Sequence, residues 1–163
     1  MKTRKLTALA MLTAAGLMLS YVEALLPSPG VPGVKLGLAN TVVIFVLYRY
    51  SWREAACVSA VRCTISALLF GTVMSYCYSL AGAALSLAGM ALLKKTDRFS
   101  HAAVSAAGGV LHNAGQLAAA VLILGTASVG IYAPVLAVSG TLSGLAIGIC
   151  AGVVLRRVSG GEK

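Results

Sequence analysis

The sequence predicts an all-α integral membrane protein: a bundle of about six transmembrane helices with both termini in the cytoplasm. Three observations carry this. Hydrophobic residues make up 59% of the 163 residues and charged residues only 10%, where a soluble domain carries about a quarter. The apolar residues fall into six runs separated by short breaks. The basic residues gather at alternate breaks.

The first run covers about Leu6–Leu26, and it is followed by Leu36–Tyr50, Glu54–Phe70, Val73–Leu93, Ala102–Leu124 and Ile131–Leu155. A spanning helix needs roughly 20 mainly apolar residues, so six take roughly 120. That leaves short connections, and residues 1–163 read as one transmembrane domain. Backbone groups in lipid must satisfy one another, which leaves helices or a closed barrel. Runs this long and continuous lack the alternation of barrel strands.

Between the first two runs, Pro27-Ser-Pro-Gly-Val-Pro-Gly33 cannot be a regular helix. Ser51-Trp-Arg53, Lys94-Lys-Thr-Asp-Arg98 and Gly125-Thr-Ala-Ser-Val-Gly130 break the chain again. Gly71-Thr72 is the weakest boundary and leaves room for a bent or re-entrant segment. The basic start, apolar stretch and Val22-Glu23-Ala24 share features with a cleaved signal peptide. The length of the run and the five runs that follow favour a retained first span.

Lys2, Arg4 and Lys5 precede run one, Arg49 and Arg53 follow run two, Lys94, Lys95 and Arg98 follow run four, and Arg156, Arg157 and Lys163 follow run six. Eleven of thirteen basic residues therefore fall on one side, which the positive-inside rule makes cytoplasmic. The net charge of +9 is thus distributed as topogenic clusters, not as a nucleic-acid-binding face. Cys57, Cys63, Cys77 and Cys150 lack C-x-x-C spacing and read as small core residues.

Given that topology, polar residues inside the runs concentrate toward the exterior. Glu23 ends run one, Lys35 and Asn40 open run two, and Arg62 sits near the middle of run three. Ser75, Tyr76, Tyr78 and Ser79 open run four, His112, Asn113 and Gln116 lie from the middle of run five toward its outer end, and Tyr132 opens run six. Ionisable groups at membrane depth are costly unless paired or facing water. Their asymmetry predicts a polar cavity open to the exterior, as solute capture requires, or a set of groups that tie helices together.

On run five, Ser105, Gly109, His112 and Gln116 share a face. Arg62 and Glu23 are ion-pair candidates; a free Arg62, with Lys35, would instead favour an anionic head group. Gly140, Gly144, Gly148 and Gly152 form a four-residue repeat of small residues, as do Ala10 and Ala14 with Gly16 beyond. In lipid such stripes let helices approach closely. One stripe is expected to pack within the bundle, the other to be available to a partner. The chain has no phosphate loop, no aspartate-rich diphosphate motif, no plausible Ser-His-Asp triad and no haem or iron–sulfur ligand set. No intrinsic catalysis, metal or cofactor is expected.

Pro32-Gly-Val-Lys-Leu-Gly-Leu-Ala-Asn40, Trp52-Arg-Glu-Ala, Arg62, Leu69-Phe-Gly71, Tyr78-Ser-Leu-Ala-Gly82 and His112-Asn-Ala-Gly-Gln116 together resemble a bacterial membrane family known as heptaprenyl diphosphate synthase component I or Gx transporters. The resemblance covers nearly the whole chain. Its size and loop-then-Lys-Leu-Gly-Leu-Ala-Asn pattern are similar to S components of energy-coupling factor transporters. That likeness implies capture of a small, partly apolar, anionic or isoprenoid-linked solute at Glu23, Lys35, Asn40, Arg62, Tyr78, His112, Asn113 and Gln116. It also implies a coupling transmembrane subunit with cytoplasmic ATPases, docked through Ala10 and Ala14, and a lid at Pro27–Gly33. The enzyme name implies instead a non-catalytic accessory of prenyl diphosphate synthesis. Some family members resemble membrane parts of extracellular electron transfer systems, a role that would need bound flavin or quinone.

Overall fold

In the computed structural model, which describes residues 2–26 and 37–160, the chain forms six α-helices. They are α1 (Lys2–Leu25), α2 (Asn40–Arg49), α3 (Trp52–Phe70), α4 (Val73–Lys95), α5 (His101–Leu124) and α6 (Ala133–Gly160). A 3₁₀ segment, Ala127–Tyr132, leads into α6. The described residues contain no strand.

Four segments are long and apolar enough to cross a membrane: Thr3–Leu25, Val73–Lys95, His101–Leu124 and Ala127–Arg157. The 19 residues of α3 are long enough but include Arg53, Glu54 and Arg62. Helix α2 has only 10 residues, which at 1.5 Å per residue reaches about half the thickness of a hydrocarbon core. It touches each of the other five helices. Val42, Val43, Ile44, Val46 and Leu47 are all buried and form the middle of the apolar core with Val58, Met90, Val104 and Ile147. A short helix stays inside because its companions shield it from lipid.

Local chemistry sets the boundaries. The hydroxyls of Ser51, Thr72 and Ser100 each accept a backbone N–H at the start of α3, α4 and α5, satisfying donors the helix leaves orphaned. At Gly71-Thr72 the chain makes a tight turn. Thr72 and Ser75 exchange side-chain-to-backbone bonds as a capping box, and α4 resumes at once. Gly125 ends α5 in the left-handed region at φ 64°.

Small residues determine how α4, α5 and α6 pack. A Cβ on Gly115 would lie 2.7 Å from the Ala81 carbonyl oxygen, and one on Gly140 2.7 Å from that of Gly109. Cβ atoms on Gly144 and Gly148 would collide with the backbone at Ser105 and Ala102. The Gly140–Gly148 stripe is therefore the internal one, and Gly109 admits a neighbouring helix, α6. Ala10 and Ala14 are exposed on the outside of α1.

Long-range contacts bring the basic clusters to one end. Lys5 forms an ion pair with Glu54, joining the starts of α1 and α3. Lys94 Nζ donates to the Leu47 carbonyl at 2.6 Å, joining the ends of α2 and α4. Tyr48 packs on His101 with ring centroids 4.4 Å apart, and His101 faces Gly152 near the end of α6. Two of the cysteines depart from the core reading. Cys63 is buried and Cys77 half-buried, but Cys57 and Cys150 are exposed, because their helix positions rotate onto the bundle's outer surface.

Candidate functional site

At the end opposite the basic clusters, α1, the start of α2, α4 and α5 bring most of the expected site residues together. Glu23 is 5% exposed in the last turn of α1. Its Oε1 accepts the backbone N–H of Gly37 and, at 3.4 Å, that of Leu38. Those amides precede the first turn of α2, where the helix dipole favours a negative charge. Gly37 has φ +85°, a conformation that side chains disfavour.

Beneath this turn lies His112, which is 3% exposed. A Cβ on Gly37 would stand 3.2 Å from His112 Cδ2, and one on Gly82 would stand 3.1 Å from His112 Cε1. The imidazole is thus clamped between two residues that must lack side chains. Gln116 is fully buried one turn further on, its Cγ 2.8 Å from where a Gly82 Cβ would be. Asn40 is 6% exposed, and its Nδ2 has no hydrogen-bond partner among the described residues. Gly37, Gly82, His112 and Gln116 thus stand in close contact among the described residues.

Asn113 lies on a different side of α5. Its Nδ2 donates to the Leu136 carbonyl at 2.7 Å, tying α5 to the start of α6, while its Oδ1 has no partner among the described residues. Tyr78 is buried at 3% exposure on α4, with Ser75 and Ser79 beside it. Lys35 and the Pro27–Gly33 loop lie outside the described residues.

Arg62 is 5% exposed in the middle of α3. Its Nη1 donates to Ser20 Oγ at 2.9 Å, and its Nη2 has only the weak acceptor Cys63 Sγ at 3.6 Å. Its Nε has no partner among the described residues. Arg62 and Glu23 do not form the expected ion pair with each other; the ion pair found among the described residues is Lys5–Glu54. The Arg62 stem passes Gly16, whose Cβ would lie 3.0 Å from Arg62 Cδ. Gly16, Ser20 and Glu23 thus make one polar and small face of α1, with Arg62 about one turn below Glu23.

Sequence reading did not assign Ser20, Gly16, Gly37 or Gly82 to the site. The signal was present in the i, i+4, i+7 spacing of Gly16, Ser20 and Glu23, and in Ser59, Arg62, Cys63 and Ser66 along the buried face of α3. At the basic end, a cleft of about 320 Å³ opens between the α2–α3 turn and the last turn of α4.

No curated protein and no solved structure matches the chain. The family model described as heptaprenyl diphosphate synthase component I matches residues 12–154, and the chain belongs to that family.

Proposed function

We propose that the protein is a solute-capturing membrane subunit of the S-component type, working with a coupling transmembrane subunit and cytoplasmic ATPases. In this reading the chain passes the bacterial plasma membrane about six times as one helical bundle with the short α2 at its centre, both termini are cytoplasmic, and the polar cluster faces outward. The solute is small, partly apolar and anionic or isoprenoid-linked. It is bound by Glu23, Lys35, Asn40, Arg62, Tyr78, His112, Asn113 and Gln116.

The observation that supports this best is Arg62. A guanidinium 5% exposed, with a serine and a cysteine for partners, is an incompletely compensated charge. A charge at the centre of a membrane helix costs about 2.5–3.5 kcal/mol even on insertion scales. An anionic ligand offsets that cost; a purely structural role does not. The Nε–Nη2 edge is the fork that a carboxylate or phosphate engages side-on. His112 lies against Gly37 and Gly82, so a shift of the start of α2 relative to α4 would change the access of a solute to its imidazole.

The family's description favours a second reading, a non-catalytic accessory of heptaprenyl diphosphate synthesis. Affinity purification of the full chain from its native membrane separates the two. Co-purifying ATPases support transport, and a soluble prenyltransferase supports the accessory role. Flavoproteins would point to extracellular electron transfer, with flavin or quinone bound. Mass spectrometry of retained small molecules names the solute. Ala10→Trp and Ala14→Trp, on the exposed face of α1, should abolish co-purification of the coupling subunit while leaving solute retention intact. Unchanged co-purification in both removes α1 from docking.

A further inference from the structure

The cleft at the basic end has a composition unlike the rest of the bundle. Leu47 and Ala91 form an apolar floor, Lys94, Lys95 and Asp97 line its rim, and the ring of Trp52 closes one side. Its volume of about 320 Å³ is at the lower limit of pockets that enclose small ligands.

The two lysines have different duties. Lys94 Nζ is held on the Leu47 carbonyl at 2.6 Å and stands 5.0 Å from the Tyr48 ring centroid. It caps the end of α2 and fixes one positive charge at the cleft's inner wall. Lys95 is exposed and makes no hydrogen bond or ion pair among the described residues. Asp97 is the single acidic residue in the cleft. It sits at φ 50°, the one non-glycine residue with positive φ among those described.

Trp52 sets the depth. It is 55% exposed at the first position of α3, and tryptophans that are half apolar and half polar settle at the headgroup level of a bilayer. A cleft at that level, with an apolar floor below and a cationic rim above, matches a molecule with the same two-part character. Arg53, with its guanidinium carbon 5.7 Å from the Trp52 ring centroid, adds positive charge outside the rim.

We infer that this cleft is a specific seat for one anionic phospholipid. Its phosphate lies between Lys94 and Lys95, and the first carbons of an acyl chain lie over Leu47, Ala91 and Trp52. The inference depends on the bundle's placement in a bilayer and not on solute capture, so the two stand or fall separately.

Native mass spectrometry of the full chain, released from nanodiscs containing equal phosphatidylglycerol and phosphatidylcholine, tests it. One phosphatidylglycerol should remain bound to the wild type. Ala91→Trp fills the floor without changing charge, and Lys95→Glu reverses the rim charge at an exposed position. Lys95→Glu should lower retention about fivefold or more, as loss of one lysine's attraction to the headgroup implies, and Ala91→Trp should lower it by filling the space of the acyl chain. Arg156→Gln with Arg157→Gln removes two charges at the same end outside the cleft and should leave retention unchanged. Equal retention of phosphatidylcholine overturns the proposal in favour of a simple apolar groove. An equal loss in the Arg156/Arg157 variant overturns it in favour of a diffuse basic surface. Inorganic diphosphate binding at Lys95 without any retained lipid overturns the lipid as the source of the phosphate.

Discussion

Glu23 and Arg62 are both buried charges inside the polar half of the bundle, yet their surroundings differ. The Glu23 carboxylate has two backbone donors, Gly37 and Leu38; the Arg62 guanidinium has a serine, a weak sulfur contact and an unpartnered Nε. Opposite mutational signatures follow. Glu23→Ala strands the buried Gly37 amide, at about 1–3 kcal/mol, and weakens the hold on the half-buried Leu38 amide; it should lower the detergent melting temperature clearly, with Glu23→Gln recovering much of the loss. Arg62→Met removes a charge without abandoning a carboxylate. Buried charges replaced by apolar side chains of similar size are often neutral or stabilising, so melting should hold or rise while solute retention is lost. A large drop in melting temperature for Arg62→Met means that Arg62 holds the helices together rather than receiving an anion. Sequence alone identified both residues as polar groups at membrane depth. It did not reveal that they avoid each other, because the choice of Ser20 as the Arg62 partner, 42 positions away, depends on how α1 and α3 rotate.

Helix boundaries were legible from turn chemistry because caps and breakers act over three or four residues. Ser51, Thr72, Ser100 and Gly125 all fall where the expected runs break. The brevity of α2 was not legible. Its apolar composition reads like any span, and only contact with all five neighbours explains how 10 residues remain at the centre. The α5–α6 seam lies between these cases, since the four-residue glycine repeat announced a close approach without naming the partner. Gly109→Ala places a methyl group against the Gly140 carbonyl, where the adjoining backbone has no flexible side chain to yield. Overpacking of this kind typically costs about 1–3 kcal/mol. Gly130→Ala, where a Cβ would meet nothing within 4 Å, is the matched control. Thermal unfolding of both variants in the same detergent should separate them clearly; equal melting temperatures would mean that the seam is looser than its geometry.

At the scale of the molecule, charge and polarity divide along the bundle axis. Arg4, Lys5, Arg49, Arg53, Lys94, Lys95, Arg156 and Arg157 belong to helix ends that the Lys5–Glu54, Lys94–Leu47 and Tyr48–His101 contacts hold together. Glu23, Asn40, Tyr78, His112 and Gln116 occupy the far half of the same helices. This division was readable in advance because helices alternate direction and each loop's charge is local. The tight clamp on His112 was not, because it depends on two glycines from separate segments converging on one ring. Positive loops stay on the cytoplasmic side, so the segment between α5 and α6 should face the exterior and the α4–α5 turn the cytoplasm. Replacing the four native cysteines with serine, then introducing Ser128→Cys or Thr96→Cys at exposed positions, puts one thiol on each side. A membrane-impermeant maleimide added to intact cells should label Ser128→Cys and reach Thr96→Cys only after lysis. The inverse pattern would turn the polar cluster toward the cytoplasm, leaving solute capture from outside without a physical basis.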